Sequence, residues 1–565
     1  MIQSPKIAYF SMEIALEPDL PTYSGGLGIL AGDALRSCVD LEIPIVGVTL
    51  AYNNGYFYQI LDNHGNQTEK DIRWEFSERL ERVPVTVKIE IQGKEVSVGA
   101  WIYKIVGHTG HEIPVYLLDT DEEGNEDWQK NFTRILYDAT PFQRISQEMI
   151  LGIAGLKLLS ALGYKDIKTY HMNEGHAGFL TLELLKELHG NVDQVKKRTI
   201  FTTHTPVPAG HDRFSYDLVY DVFRNDLLPP NIREIAGENE LNMTHMCINL
   251  SRFVNAVSKK HREVTQKMFP GYQIDSITNG IHTPTWVHPL LGKFYSEYFP
   301  YWKYDQEVFE NPDILEGDEL WRIHKIIKNQ LLDYQKSHSW VLLDEKLLTI
   351  GYCRRFTWYK RPTLIFKDLD RLGRICKNKV QFIFAGKTHP RDDGGKGLIR
   401  DIYSASEYLW DKYRVGVSFL ENYDMDLSKL VVSGVDLWLN TPRRYQEASG
   451  TSGMKAAHNG VLNFSVLDGW WLEGAIISKG MAGWNIGPGG DDPNAEQNDD
   501  NAESQDLYSK LEKEIIPLYY NERENWINRM KQAIRLISFF NTNRMVMEYA
   551  DKGWLLKQQP KWKSN

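Results

Sequence analysis

Short apolar runs bounded by Gly, Asn or Asp alternate with longer stretches of helical periodicity through most of this chain, in two successive series. Parallel βαβ units use that order, because a strand buried on both faces reads as a continuous apolar run and each crossover needs a helix. Predicted strands include residues 6–10, 45–49, 199–203, 347–353, 380–385 and 435–439, and predicted helices include 28–41, 145–162, 174–188, 362–376 and 452–459. The expected fold class is α/β. Residues 83–106 break the pattern with period-two alternation, which predicts an antiparallel insertion there.

A chain of 565 residues exceeds one ordinary core and has room for roughly three to four domains or two large ones; the two series of βαβ units point to two α/β domains. The first covers 1–285 and a helical, aromatic-rich connection covers 286–340. The second domain covers 341–535, and 536–565 is a C-terminal helix free to cross back onto the first. The segment 487–506, GPGGDDPNAEQNDDNAESQD, is too acidic and polar to bury a core and reads as a surface loop. Lys and Arg number 65 against 75 Asp and Glu, a net charge of −10 that excludes a basic nucleic-acid binder. Cys38, Cys247, Cys353 and Cys376 lie far apart with no CxxC, so neither a disulfide framework nor a zinc site is expected. The first twenty residues carry no apolar block of signal-peptide length, and no run approaches a membrane span; a cytoplasmic location is expected. Aromatics reach 12%, enough for large cores and consistent with stacking on sugar faces.

Three segments place chemistry at strand ends or helix starts. In SGGLGILAGD (24–33), Gly25, Gly26 and Gly28 let backbone N–H groups approach an oxyanion at a helix N-terminus, and the same turn serves equally as a packing device. Its spacing is neither the dinucleotide fingerprint nor the P-loop. In GYCRRFTWYKRP (351–362), Arg354, Arg355, Lys360 and Arg361 gather four cations where open α/β sheets bind ligands. One charge run is usually a solvated face. A second cationic loop, FAGKTHPRDDGGKG (384–397), follows the next strand, and together they point to more than one phosphate group. In EASGTSGMK (447–455), small residues leave room for a ligand before a helix. Lys455, desolvated between Met454 and Ala456, would have the lowered amine pKa that favours imine formation with an aldehyde cofactor. Lys455 alone would read as an ordinary helix lysine.

In this order the three segments resemble the α-glucan phosphorylases (glycogen, starch and maltodextrin phosphorylases), over roughly residues 6–475. The resemblance implies a GT-B fold, two Rossmann-like domains facing a central cleft, and pyridoxal 5′-phosphate as cofactor. EASGTSGMK is similar to the block whose lysine carries that cofactor, which implies Lys455 as the Schiff-base residue, with Gly450, Thr451 and Ser452 beside the cofactor. Arg355 and Lys360 match the pair that holds the substrate phosphate against the cofactor phosphate. Arg354 takes the place of a lysine contacting the cofactor phosphate, and Tyr423 in ENYDMDL matches a residue near the cofactor. Gly26 stands where an amide faces the substrate phosphate, flanked by Gly25 and Leu27.

His204 in FTTHTP corresponds to the histidine facing the transferred glucose, and Asn279 in ITNGIH to the asparagine bonding its 6-hydroxyl. Glu447, Ala448, Ser449 and Gly450 match the block reading the 2-, 3- and 4-hydroxyls. Glu13, Glu174, His176 and Tyr359 match other positions lining the cavity. The implied catalytic set is Lys455, Arg355, Lys360, His204 and Gly26, with no metal. The chain departs from the family at Ala15, where a tyrosine stands near the cofactor ring, and at Ser452 and Gly453, which replace Gly-Asn. It resembles a compact prokaryotic branch without an evident counterpart of the N-terminal regulatory helices.

The reaction implied is reversible, retaining phosphorolysis of a terminal α-1,4-linked glucose of glycogen or maltodextrin by orthophosphate, giving glucose 1-phosphate, with the cofactor phosphate as proton relay; a homodimer is compatible with it. The alternative is a nucleotide-sugar-dependent glucan synthase of the same architecture. Those transferases carry a second Glu eight residues after the first, where this chain has Lys455. A carboxylate there accepts ribose hydroxyls and an ammonium does not.

Overall fold

The computed structural model describes residues 5–137, 140–224, 227–487 and 499–556. By contact the chain divides into two compact units. The first is Met1–Phe57, Asp71–Thr278 and Thr542–Asn565, and the second is Tyr58–Lys70 and Asn279–Asn541. Both are built on parallel sheets, and among the described residues no helix is long and apolar enough to cross a membrane.

Seven strands form the parallel part of the first sheet: β1 (Ile7–Ser11), β2 (Ile45–Leu50), β3 (Glu112–Asp119), β4 (Thr169–Asn173), β5 (Thr199–Thr202), β6 (Phe253–Ala256) and β7 (Asp275–Ser276). They lie side by side in the order β7-β6-β5-β4-β1-β2-β3. β1 and β2 are buried at every position, as expected of strands covered by helices on both faces. Their register brings Phe10 beside Val48 on one side and Met172 on the other. The period-two stretch is antiparallel: Lys94–Val106 runs along the outer edge of β3 and itself pairs with Val87–Ile91 and Glu81–Arg82.

In the second unit β8 (Leu348–Cys353), β9 (Val380–Ala385), β10 (Val417–Leu420), β11 (Leu437–Asn440), β12 (Leu462–Val466) and β13 (Gly483–Ile486) are all parallel, in the order β10-β9-β8-β11-β12-β13. Numbered within each sheet, both units therefore run 3-2-1-4-5-6, with a seventh strand in the first. In such a sheet the chain reverses its direction of growth between the first and fourth strands, and a crevice opens past their C-terminal ends. Those points are β1/β4 and β8/β11.

Several expectations need correction. By contact the second unit takes in 279–541, so the 286–340 stretch belongs to it rather than forming a separate connection ahead of a domain that starts at 341. Its 22-residue helix, Gly317–His338, buries Leu320, Ile323, Ile327 and Leu331, a stripe at helical spacing, and Leu331 joins the second core with Cys353 and Ile383. The hairpin Tyr58–Leu61 and Gln67–Lys70 lies in the second unit, where Gln59 Nε2 donates to the Gly386 carbonyl and Gln67 Nε2 to that of Thr388. The predicted 145–162 helix is Pro141–Met149 and Gly155–Ala161 joined by one π-turn, Ile150–Ala154. The predicted 362–376 helix starts only at Leu369, because Arg361 is left-handed (φ +46) and Asp368 caps the later start by accepting from the Arg371 N–H. Of the acidic 487–506 segment, 488–498 lie outside the described residues, and 500–506 are no loop. Asp500–Lys510 is a helix, and Glu503 is buried because Arg361 and Arg444 face it. At the C-terminus, Tyr549 and Trp554 pack within the first unit: Asn255 Nδ2 donates to Tyr549 Oη, and Trp554 Nε1 to His171 Nδ1.

The ends of β8 and β11 opposite the crevice are tied by a buried ion pair. Asp436 is fully buried and accepts from Lys328 Nζ (2.6 Å), His324 Nε2 (2.9 Å) and the Thr349 N–H (2.7 Å). Burial opposes its ionisation, but Lys328 and His324 outweigh burial and hold its carboxyl below the usual range. The stability it contributes is complete above the unfolded pKa of about 3.9 and is lost as pH falls through the lower folded value. Replacing Lys328 by Met leaves a buried charge short of its cation and should cost the second unit about 3 kcal/mol at neutral pH, read as a lower urea midpoint. The penalty should shrink in acid, where Asp436 is neutralised. An unchanged midpoint at pH 7 would show the pair to be dispensable.

Candidate active site

The cationic loop after β8 meets the strap after β11, at the switch point of the second sheet. Arg354 Nη1 donates to Asn440 Oδ1 at the end of β11 (3.0 Å), and its Nη2 donates to Glu447 Oε2. Lys360 Nζ donates to the same Glu447 oxygen. All three side chains are only 10–11% exposed. Burial would push the Glu447 carboxyl up, but the Arg354 and Lys360 charges override it and bring the group down to about 2. Tyr359, between these cations, behaves alike: burial opposes its ionisation, and Lys360 and Arg355 hold the phenol below its usual value. Lys360 Nζ sits over the Tyr359 ring at 4.7 Å. Arg355 is exposed on the same loop.

Arg361, the fourth cation of the run, does not join this cluster. It is 4% exposed, donates to the carbonyls of Thr441 and Pro442, and pairs with Asp500 and Glu503, so it ties the two loops together from behind.

Lys455 lies on the helix Ser452–His458 and is 6% exposed, with Nζ 3.5 Å from the centre of the Trp286 ring. Asn459 fastens this pair, donating through Nδ2 to the carbonyls of both Trp286 and Lys455. Before the helix, Gly450 is left-handed (φ +83), Thr451 stands at the N-cap and Ser452 Oγ accepts from Trp438 Nε1. Ala448 and Ser449 are buried, and Ser449 Oγ has no hydrogen-bond partner among the described residues, as is also true of Arg354 Nε and Thr357 Oγ1. Asn279 is 3% exposed at the start of the unit, where Ile281 N–H donates to the Phe540 carbonyl. Tyr423, after β10, donates to Ser428 Oγ.

In the first unit the expected residues follow β1, β4 and β5, again at the switch point. Glu13 holds the glycine loop: Oε2 accepts the N–H groups of Ser24 and Gly25, and Oε1 accepts from Tyr137 Oη (2.8 Å). It is 2% exposed and fully engaged, a strap for the loop. Gly26 opens the helix Gly26–Asp40 and is exposed, and Leu27 follows it. A Cβ at Gly25 or Gly26 would meet nothing within 4 Å, so packing within the protein gives no reason for glycine at either position. Of the two readings of this turn, the open space favours a ligand's approach.

Glu174 has φ +76, unusual for a side chain with Cβ, and its carboxylate accepts the N–H groups of Gly175 and His204 and the Thr205 hydroxyl. It thereby clamps the ends of β4 and β5. His204 donates from Nε2 to Asn173 Oδ1 (2.7 Å), whose amide nitrogen donates to Ser11 Oγ. Burial lowers the His204 pKa to about 4, so the ring is neutral at pH 7. His176 Nε2 pairs with Asp212 (3.2 Å), while its buried Nδ1 lacks a hydrogen-bond partner among the described residues.

Sequence reasoning missed the residues behind these. Asp212 accepts from Arg144 (2.9 Å), and Arg144 Nε faces Glu148, a fully buried carboxyl that burial and Asp212 push well above the usual range. Glu148, charged in the midst of the apolar run ISQEMILGIAG, was the available signal. Trp286 carried no sequence signal, since its partner Lys455 lies 169 residues away, counting from 286 to 455.

Residues 211–476 match the carbohydrate phosphorylase model, and residues 6–280 match that of the starch synthase catalytic domain. The maltodextrin phosphorylase of Thermococcus litoralis is 39% identical, over 97% of this chain and 70% of that protein. A glycogen phosphorylase of Aquifex aeolicus is 35% identical, over 98% of this chain and 87% of its own length. That of Mycobacterium tuberculosis is 34% identical, over 96% and 70%. Identity at this level across nearly the whole chain places the chain in the carbohydrate phosphorylase family.

Proposed function

We propose that this protein catalyses reversible phosphorolysis of the terminal α-1,4-linked glucose of a glycogen- or maltodextrin-type glucan, giving α-D-glucose 1-phosphate with retained configuration, on a fold of the GT-B type. The observation that carries this reading is Lys455, a buried amine on the Trp286 ring, eight residues after a carboxylate held between Arg354 and Lys360.

The residues present fit pyridoxal 5′-phosphate. Lys455 supplies a buried amine against an aromatic face, and Ser449 Oγ and Arg354 Nε are buried polar atoms with no hydrogen-bond partner among the described residues. Lys455 would hold the group covalently, Arg354 would face its phosphate, and Gly450, Thr451, Ser452 and Tyr423 would lie beside it. When bound, it supplies a phosphate that can exchange a proton with the substrate phosphate.

The chain's own residues do the rest. Arg355 and Lys360 bind orthophosphate and offset repulsion between two phosphates. The amides at Gly25 and Gly26, with Leu27, form an oxyanion cradle in the first unit. Glu447, Ala448, Ser449 and Gly450 read sugar hydroxyls, Asn279 bonds the 6-hydroxyl, and Tyr359 offers a polarised hydroxyl. His204, a neutral ring held by Asn173, presents a ring and a carbonyl to the transferred glucose without a competing charge. Glu174, His176 and Glu13 fix the loops that carry these groups. Orthophosphate gives its proton to the glycosidic oxygen as the C1–O bond breaks, and one of its oxygens then closes on C1 from the same face. The burial of Lys455 and Ser449 keeps water from taking the sugar instead.

Trp358 supports a glucan substrate. It begins the turn Trp358–Lys360, the residue is 64% exposed, and the Arg443 guanidinium lies 5.6 Å from the ring centre on one face. A flat apolar face at that position suits the C–H face of a pyranose. The match of residues 6–280 to the starch synthase catalytic domain favours a second reading, a nucleotide-sugar-dependent glucan synthase. It is disfavoured at position 455, where an ammonium cannot accept ribose hydroxyls.

Incubated with maltodextrin, the protein should release glucose 1-phosphate only when orthophosphate is present. Borohydride should fix pyridoxal on Lys455, and Lys455→Ala should be inactive with an unchanged melting temperature. A protein that cannot be loaded with pyridoxal phosphate and instead transfers glucose from a sugar nucleotide would establish the synthase reading. Replacing Trp358 by Ala should raise KM for maltoheptaose about fivefold while leaving KM for phosphate unchanged. Equal KM for the glucan in both proteins would remove Trp358 from the substrate path.

A further inference from the structure

Between β12 and the helix Trp470–Ile477 the chain makes a tight turn, Asp468-Gly469-Trp470, that none of the roles above uses. Asp468 is 3% exposed and both its oxygens are engaged by N–H groups. Oδ2 accepts from Glu447 (2.8 Å) and Oδ1 from Gly469 (2.8 Å). Trp470 N–H in turn donates to the Ser449 carbonyl (2.9 Å). The turn thus holds two alternate residues of the strap, one by its amide and one by its carbonyl. Gly469 makes the approach possible: its φ is +52, and a Cβ there would lie 2.4 Å from the Ser449 carbonyl oxygen and 3.0 Å from that of Glu447. The Trp470 indole closes the other end. It abuts Gly453, where a Cβ would come within 2.9 Å of the ring, two residues before Lys455.

We propose that the Asp468-Gly469-Trp470 turn is the positioning element of the sugar-reading strap, setting where Glu447 and Ser449 meet the substrate hydroxyls and seating the first turn of the lysine helix. The inference rests on the phosphorolysis reading and deepens it. Asp468 itself touches no substrate group. It acts through the backbone of residues that do, and its carboxylate is the only group bonded to the Glu447 N–H among the described residues. A strap left unheld at Glu447 can turn about Gly450, whose left-handed backbone separates the strap from the helix.

The test compares glucose 1-phosphate with its 3-deoxy analogue in the direction of chain extension. Asp468→Asn keeps the size of the side chain but turns one acceptor into a donor facing an N–H. If the turn positions the strap, kcat/KM for glucose 1-phosphate should fall about tenfold, since small displacements of binding groups cost that much or more. The analogue, which offers nothing at the 3-position to be read, should lose far less, and the discrimination ratio should shrink. Pyridoxal content should be retained. Gly469→Ala, which pushes the strap away without altering the carboxylate, should give the same signature.

The unmodified enzyme offers a third reading that needs no variant. Burial and the neighbouring Glu447 carboxylate push Asp468 up to about 7, against the N–H groups of Glu447 and Gly469 and the Lys360 cation. Above that pH the charged clamp is complete, and below it protonation weakens one acceptor, so discrimination should decline below pH 7. Titration of the substrate phosphate, shared by both sugars, cancels in the ratio. Equal losses on both sugars in the variants would overturn the positioning role and leave phosphorolysis standing. An unmodified enzyme that neither turns over nor binds glucose 1-phosphate would instead overturn phosphorolysis, and the role of the turn with it.

Discussion

A carboxylate removed from water must find cations, and in the second unit this requirement organises the whole site. Glu447 is only 11% exposed, and it remains ionised because Arg354 and Lys360 share one of its oxygens. Either cation alone would leave a buried charge poorly matched, whereas two cations on one carboxylate leave net positive charge at the switch point. On the proposed reading, that surplus and the neighbouring Arg355 are what an orthophosphate would meet there. Arg361 shows the same rule with the opposite outcome. Paired with Asp500 and Glu503, it is neutralised and serves only to bind the loops to each other.

The sheets explain why these groups meet at all. Arg354 follows the first strand of its sheet and Glu447 follows the fourth, two elements more than eighty residues apart in sequence that the 3-2-1-4-5-6 order makes neighbours. The first unit repeats the arrangement with different chemistry. Glu13 follows its first strand, while Glu174 and His204 follow the fourth and fifth, and both carboxylates are occupied with backbone N–H groups. One unit therefore presents surplus cations, and the other presents carboxylate-braced loops, a neutral histidine and an open glycine turn.

The α/β class and most strands were legible because parallel strands buried on both faces leave an unmistakable record, such as IAYFS and IVGVTL. Other features were hidden because their cause is not local. The hairpin Tyr58–Lys70 reads as part of the first half, yet its Gln59 and Gln67 amides are satisfied only by carbonyls after β9. The acidic tract reads as loop throughout because buried Glu503 depends on two arginines, at 361 and 444, that no nearby sequence announces. At the site, resemblance named Glu13, but only the structure shows that its carboxylate is spent on Ser24 and Gly25 amides. Trp286 became visible only as the surface beneath Lys455.

The two family matches divide the problem along the same line. Residues 6–280, the first sheet and its loops, match a starch synthase catalytic domain, while the phosphorylase match runs from 211 to 476 and takes in β8 to β12 and the lysine helix. A doubly wound sheet with a glycine turn at its first strand serves sugar transfer from many donors, so the first unit does not discriminate among them. Discrimination lies in what stands beyond the fourth strand of the second sheet. A carboxylate at position 455 could accept the hydroxyls of a nucleotide ribose; the amine buried on the Trp286 indole cannot, and it is the group that the proposed aldehyde cofactor would need. On the proposed reading, the identity of one buried side chain separates two reactions that the sheets leave open.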